Sequence, residues 1–360
     1  MIALIAAFAI PYSLVKQYRE DGISAGVINI SAFLMVTPFT IPFLDESGKT
    51  LGSVGGIAPS YLSSGGLFVA IVLGLLNGYV YQWFMKKDIR IKMPDGVPPA
   101  VSKSFSAIIP GAVILIFWLI IYGLLDSLKL PNVHDIVKTV LGVPFSMLGS
   151  TLFGNFIVVL LNGLLWFCGV HGGNVLNNPI MKPIWLANLT ENAAAHKAGQ
   201  ELPHVFTSVF MDNFVFIGGS GATIGLVIAL AWLAKRRKAS QQAKVLSPLT
   251  LLPGLFNINE PTMFGLPVVL NVLTVIPFVL APAVNLIVAY LAFSSGIVPG
   301  TYTDPGWTMP PVVSGFLATG SWQASVLQVI LIVLDILLYL PFIFNVERRW
   351  KASEKHEDNI

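Results

Sequence analysis

Charged side chains are scarce in this chain. Only 11% of its 360 residues are Asp, Glu, Lys or Arg, while 55% are hydrophobic. A soluble globular domain carries roughly a quarter charged residues, so bulk water is not the main solvent here. The few charges cluster, and the net charge is +3. No continuous basic stripe with base-reading groups is present, which argues against nucleic acid as a partner. The one cysteine, Cys168, excludes an internal disulfide framework. There is no P-loop and no GxGxxG motif opening a strand-to-helix turn, which argues against nucleotide binding. His and Glu never take an HExxH-type spacing, so neither a metal nor another cofactor is expected. Met1–Val15 is apolar, but no basic stretch precedes it and no convincing cleavage site follows, so a cleavable signal peptide is not expected.

What the chain does have is long apolar runs. No charge interrupts 22–44, 50–85, 104–125, 139–181, 213–234 or 261–303, and a helix needs about 20 mostly apolar residues to cross the hydrocarbon core. Crossings are expected at 1–15, 23–42, 62–85, 105–126, 151–170, 213–234, 265–292 and 324–346. Basic clusters at Lys16/Arg19, Lys86–Lys92, Lys235–Lys238 and Arg348–Lys351 mark the cytoplasmic side by the positive-inside rule. Placing all four on one side requires even numbers of crossings between them. Only three lie between the second and third clusters, so one more is expected in 135–150 or 171–212. The predicted fold class is therefore all-α: a polytopic transmembrane helical bundle of about nine crossings. The same parity puts Met1 outside, which suggests a chain shortened at its start. The expected organisation is 1–150, an N-terminal helical half; 151–346, a substrate-binding half; and 347–360, a cytoplasmic tail.

Two stretches do not read as ordinary spans. His171–Gly221 opens on HGGNVLNNP and closes on GGSG, and Leu246–Met263 is rich in Pro, Gly and Asn. Irregular backbone at membrane depth is tolerated only where it is buried in protein or lines a wet cavity, and transporters bind substrate at such breaks. Both are predicted to be re-entrant hairpin segments; the alternative is solvent loops. In the first, Trp166, His171, three glycines and three asparagines, including Asn174, fall within fourteen residues. Glycine lets backbone approach a ligand, Asn offers donors and acceptors together, and an aromatic face suits a sugar ring. A helix C-cap with a satisfied histidine is the competing reading. In the second, the NINEP run of Asn257–Pro261 holds Glu260, the only acid between Lys244 and Asp304. A carboxylate at that depth persists only with partners or a task, with Asn257 and Asn259 beside it to orient it; a helix cap in an aqueous loop accounts for the spacing equally well. Trp307, in a turn with Asp304, Pro305 and Gly306, suits either stacking on a sugar or an interfacial aromatic belt. Cys168 reads as a packing residue, and Asp335, inside the last span, as a buried structural hydrogen bond rather than a substrate group.

GVHGGNVLNNP, NINEP and the surrounding GLFNINEPTMFGLPVVLN, with SAGVINISAFLMVTPF and YLSSGGLFVAI further upstream, resemble the membrane IIC component of the lactose/cellobiose/diacetylchitobiose branch of the bacterial phosphoenolpyruvate-dependent phosphotransferase system. The resemblance runs along nearly the whole chain. It implies a multi-pass bacterial plasma-membrane permease that takes a β-linked disaccharide and works with separate IIA and IIB proteins, the latter carrying a phosphocysteine. It also implies a homodimer built by the N-terminal half. Glu260 and His171 match the residues that contact the sugar C6 hydroxyl. Trp166 and Trp307 match pocket aromatics, Asn259 a polar contact beside the acid, and the polar turn around Gly65 a further small contact. Two other readings remain open at this point. One is a proton-coupled secondary sugar transporter relaying protons through Glu260 and Asp335. The other is an intramembrane hydrolase using His171 with Glu260 or Cys168.

Overall fold

A computed structural model of the chain describes residues 1–44, 50–94, 96–266 and 271–357. Residues 267–270, in the expected 265–292 crossing, and 358–360, in the expected tail, lie outside the described residues. The chain divides into two compact units, Met1–Pro144 and Phe145–Ile360.

In the first unit, α1 (Ile2–Gln17), α2 (Gly22–Met35), a short α3 (Pro59–Leu62) and α4 (Leu67–Lys86) are followed by α5 (Pro99–Ser106), α6 (Ile108–Ser127) and α7 (Val133–Val137). Asp21 starts α2 by accepting from the Ile23 amide at 3.2 Å, which satisfies one of the helix's orphan donors. Ala3, Ala7, Phe33, Leu73 and Tyr81 form the buried interior. A polar relay crosses it. The Trp118 Nε1–H donates to Asn77 Oδ1 at 2.9 Å, Asn77 Nδ2 to Asn29 Oδ1 at 2.7 Å, and Asn29 Nδ2 to the Ala7 carbonyl at 2.6 Å. In an apolar setting such side-chain bonds fix helix register, because their groups have no water to turn to.

Among the described residues the fold is all-α apart from one antiparallel hairpin. β1 (Thr40–Leu44) pairs with β2 (Thr50–Gly55), Thr40 opposite Gly55 and Ile41 opposite Val54. The expected 23–42 crossing therefore leaves its helix at Met35. Pro38 and Pro42 explain this: each lacks an amide donor and would clash with the preceding turn of a helix.

A seven-residue helix, α8 (Val143–Gly149), leads towards the second unit. That unit holds α9 (Leu152–Phe167), α10 (Lys182–Lys197), a one-turn α11 (Ser208–Phe210), α12 (Ile224–Ala234), α13 (Gln241–Leu255), α14 (Glu260–Gly265), α15 (Val272–Ser294), α16 (Val313–Thr319) and α17 (Trp322–Glu357). Two wider, π-type turns interrupt the pattern at Gly173–Met181 and Met211–Val215, as helices often do at functional sites. Trp166, Ile217, Ile224, Leu230, Phe278 and Tyr339 meet in its core. Asp335 is fully buried there, and its Oδ2 accepts from Asn285 Nδ2 at 3.1 Å.

Among the described residues, Leu67–Lys86, Pro99–Ser127, Thr274–Ser294 and Trp322–Glu354 are long and apolar enough to cross a membrane. Four shorter apolar helices are Ile2–Gln17, Gly22–Met35, Leu152–Phe167 and Ile224–Ala234. Each of the eight expected segments overlaps one of these helices. Residues 213–223 do not join α12, because the glycines of the GGSG turn take positive φ angles (Gly218 +85°, Gly219 +97°, Gly221 +83°) that break the helix.

Candidate functional site

α9 ends at Phe167, and Gly169 turns the chain with φ +80°. This brings His171 back onto the last turn of α9. Its imidazole lies 4.3 Å from the Trp166 ring, centroid to centroid, at 44°. Trp166 is buried and also meets the edge of Phe278. The Asn174 amide donates to His171 Nδ1 at 3.2 Å. In a neutral imidazole an accepting Nδ1 leaves the proton on Nε2, so the ring turns a donor outward.

The NINEP run is built as a clasp. Asn257 holds a left-handed φ of +61°, which Asn tolerates better than most residues. Its Oδ1 accepts from the Gly218 amide at 2.6 Å, and its Nδ2 donates to the Trp307 carbonyl. Asn259 Nδ2 donates to the Ser220 carbonyl at 2.8 Å. Two asparagines thus tie the GGSG turn and the Trp307 loop to one point. Next to them Glu260 opens α14, with Pro261 in the first turn. Proline has no amide to lose there, and Glu260 remains exposed.

These pieces surround a cavity of about 380 Å³, within the range of small-molecule sites. His171, Asn174, Asn259, Glu260 and Trp307 all line it. Trp166 does not; it stands behind His171 and fixes the ring from the rear. Gly65 belongs to the first unit, on the turn Ser64–Gly66, whereas every residue lining this cavity comes from the second. Cys168 is exposed and is not in the wall. No group of three His, Cys, Asp or Glu among the described residues is placed to hold a metal ion.

The cavity also has members that sequence reasoning did not single out. Lys182 and Asp212 form an ion pair in its wall. Trp185 closes one side, its Nε1–H donating to Asn155 Oδ1 at 2.9 Å. Asn177, one of the three asparagines already noted in the HGGNVLNNP run, also lines it. Thirty positions separate Lys182 from Asp212, so no local motif joins them.

The description "Phosphotransferase system, EIIC" fits a family profile that matches residues 1–282. The chain belongs to the phosphotransferase-system EIIC family. It is 41% identical to the lichenan permease IIC component of Bacillus subtilis (strain 168), over all of this chain and 78% of the relative. It is also 41% identical to the cellobiose-specific EIIC component of Geobacillus stearothermophilus, over 99% of this chain and 79% of the relative. The crystal structure of the transporter ChbC, the IIC component from the N,N'-diacetylchitobiose-specific phosphotransferase system, superposes with a TM-score of 0.88 at 37% identity, covering 99% of this chain and 82% of that one. An EIIC chain is the sugar-specific membrane permease of its phosphotransferase system, and the apolar helices described above are the body of such a permease.

Proposed function

We propose that this EIIC chain carries a β-linked disaccharide of the cellobiose, diacetylchitobiose or lactose type across the bacterial plasma membrane and presents its C6 hydroxyl to phosphorylated IIB. The observation that carries this reading is the meeting of Glu260 and His171 in one cavity that also holds Asn259, Asn174 and Trp307.

In this reading Trp307 stacks on a sugar face, and Asn174 and Asn259 take up hydroxyls. The outward His171 Nε2–H holds the C6 oxygen in line, and the Glu260 carboxylate receives its proton as general base. The C6 oxygen then attacks the phosphorus of the IIB phosphocysteine. The P–O bond forms as the P–S bond breaks, and the cysteine leaves as thiolate. Phosphoryl transfer of this kind depends chiefly on positioning and charge stabilisation. The charged product cannot return by the apolar route and is trapped inside. IIA recharges IIB, and two copies of the chain pair through the N-terminal half.

Family membership removes the basis for the proton-coupled and hydrolase alternatives. The test is the energy source. Vesicles carrying this chain should take up cellobiose when phosphoenolpyruvate, IIA and IIB are supplied, and the sugar should be recovered phosphorylated. Uptake of unmodified sugar driven by a pH gradient alone would contradict the proposal.

A further inference from the structure

The cytoplasmic end of the second unit carries its charge unevenly. α12 ends at Ala234, and Lys235, Arg236, Arg237 and Lys238 follow without a break. The C-terminal part of α17 adds Arg348 and Arg349. All six are exposed, and none has an acidic partner within ion-pair distance among the described residues. The acids at this end are turned inward instead. Glu347, 4% exposed, accepts from the Ser240 amide at 2.8 Å and from the Ser240 hydroxyl, and Lys351 Nζ lies 3.0 Å from it. Glu354 accepts from the Gln241 amide at 2.6 Å. These carboxylates fasten the turn between α12 and α13 onto α17. They bring the two basic runs to one end of the unit and leave the outward cations unbalanced.

Arg236 is held at a particular depth. Its guanidinium lies 3.9 Å from the Trp232 ring centroid and 5.2 Å from that of Phe344, and the two rings meet edge to face at 6.1 Å. Trp232, in the last turn of α12, is 49% exposed. Membrane helices carry such tryptophans at the boundary between hydrocarbon and headgroups. An arginine reaching for water would extend away from that boundary, whereas this one lies back on the rings. Stacking uses the flat face of the guanidinium and leaves its N–H edge, a planar fork of donors, for an acceptor. A phosphate group matches that fork in shape and charge. A water-soluble partner would meet the cations but not the rings, which sit where acyl chains reach. A lipid with an anionic head satisfies both, and clusters of Lys and Arg directly beyond a membrane helix attract such lipids.

We propose that Arg236 and Trp232, flanked by Lys235, Arg237, Arg348 and Arg349, bind an anionic phospholipid of the cytoplasmic leaflet. Its phosphate lies on the Arg236 fork and its acyl chains along Trp232 and Phe344. The site shares no residue with the sugar cavity.

The experiment adds dioleoyl phosphatidylglycerol or dioleoyl phosphatidylcholine to the purified full chain in detergent and reads the thermal transition. Phosphatidylglycerol should raise it by at least about 2 °C more than phosphatidylcholine does, and added salt should shrink that difference. Equal shifts for the two lipids would overturn the site. In Arg236→Gln, and in Arg348→Gln combined with Arg349→Gln, the difference should be largely lost. A difference kept in full would place the lipid elsewhere and overturn the site. A kept difference together with a raised requirement for phosphorylated IIB would give the cations to a protein partner, and overturns it equally. If the charge variants do not fold, Trp232→Phe, which keeps a ring, decides. Phosphatidylglycerol brominated on its acyl chains should quench the tryptophan fluorescence of the wild type more than brominated phosphatidylcholine does, and Trp232→Phe should lose that excess. An excess that survives the substitution would overturn the site.

Discussion

The Tyr339 hydroxyl donates to the Gly221 carbonyl at 2.6 Å, joining residues 118 positions apart in the sequence. α17 thereby holds the GGSG turn that the NINEP asparagines grip from the other side. Gln328 does the same for the preceding segment, its Nε2 donating to the Asn213 carbonyl at 2.8 Å. Gln328, Asp335 and Tyr339 fall at i, i+7 and i+11, one stripe of a single helix. The cavity wall is irregular in backbone but tied to a regular support. Tyr339→Phe removes the only polar atom of that ring and leaves a buried carbonyl short of its donor. It should lower unfolding stability by about 1–3 kcal/mol, read as an earlier thermal transition of the purified protein in detergent.

Gly219 is the point of the clasp that packs directly on Asn259. An added Cβ would stand 2.7 Å from Asn259 Cγ, and its φ of +97° is one that side-chain-bearing residues rarely adopt. Gly219→Ala should displace Asn259 and abolish sugar binding in protein that still inserts. Gly199 also has positive φ, +67°, but nothing lies within 4 Å of its Cβ position. Gly199→Ala should cost no more than the backbone strain of about 1–2 kcal/mol and leave sugar binding intact. Titrating both variants with cellobiose separates a specific clash from general intolerance of alanine.

Trp166 supports the site without lining it. Trp166→Leu should free His171 from its stacking partner and slow sugar phosphorylation. Trp166→Phe keeps a ring and should retain most of the rate, since an aromatic pair is worth about 0.5–1.5 kcal/mol beyond its buried area. Phosphorylation rates of the two variants beside the wild type check this.

In the first unit, Asn77 both accepts from Trp118 and donates to Asn29. Asn77→Leu leaves those two buried groups unpaired and should destabilise by about 1–3 kcal/mol, while sugar affinity of the surviving folded protein is unchanged. Melting curves and cellobiose titrations on one preparation read both.

Much of this was legible in the sequence because an apolar background makes exceptions stand out. His171 and Glu260 were found as polar groups set among Gly, Asn and Pro where a plain span would be uniformly apolar, and they line one cavity. The helices were legible for the same reason. The β-hairpin was not: Thr40–Leu44 is as apolar as a span, and only Pro38 and Pro42 hinted that the helix stops. The start of the 213–234 crossing was set too early because residues 214–217 are apolar although the GGSG turn separates them from α12. Lys182 and Asp212 were not singled out, because their pairing depends on how the segment folds back, which no local spacing encodes. Trp166 was expected in the wall, whereas its indole packs behind His171, a choice of side-chain direction that composition does not carry.

The central claim is that Glu260 takes the proton from the sugar. Glu260→Gln keeps the size and hydrogen-bonding reach of the side chain and removes its basicity. With phosphorylated IIB in excess, single-turnover sugar phosphorylation should fall by at least about a hundredfold, the lower range for loss of a general base, while cellobiose binding persists. Phosphorylation at the wild-type rate in that variant would contradict the account.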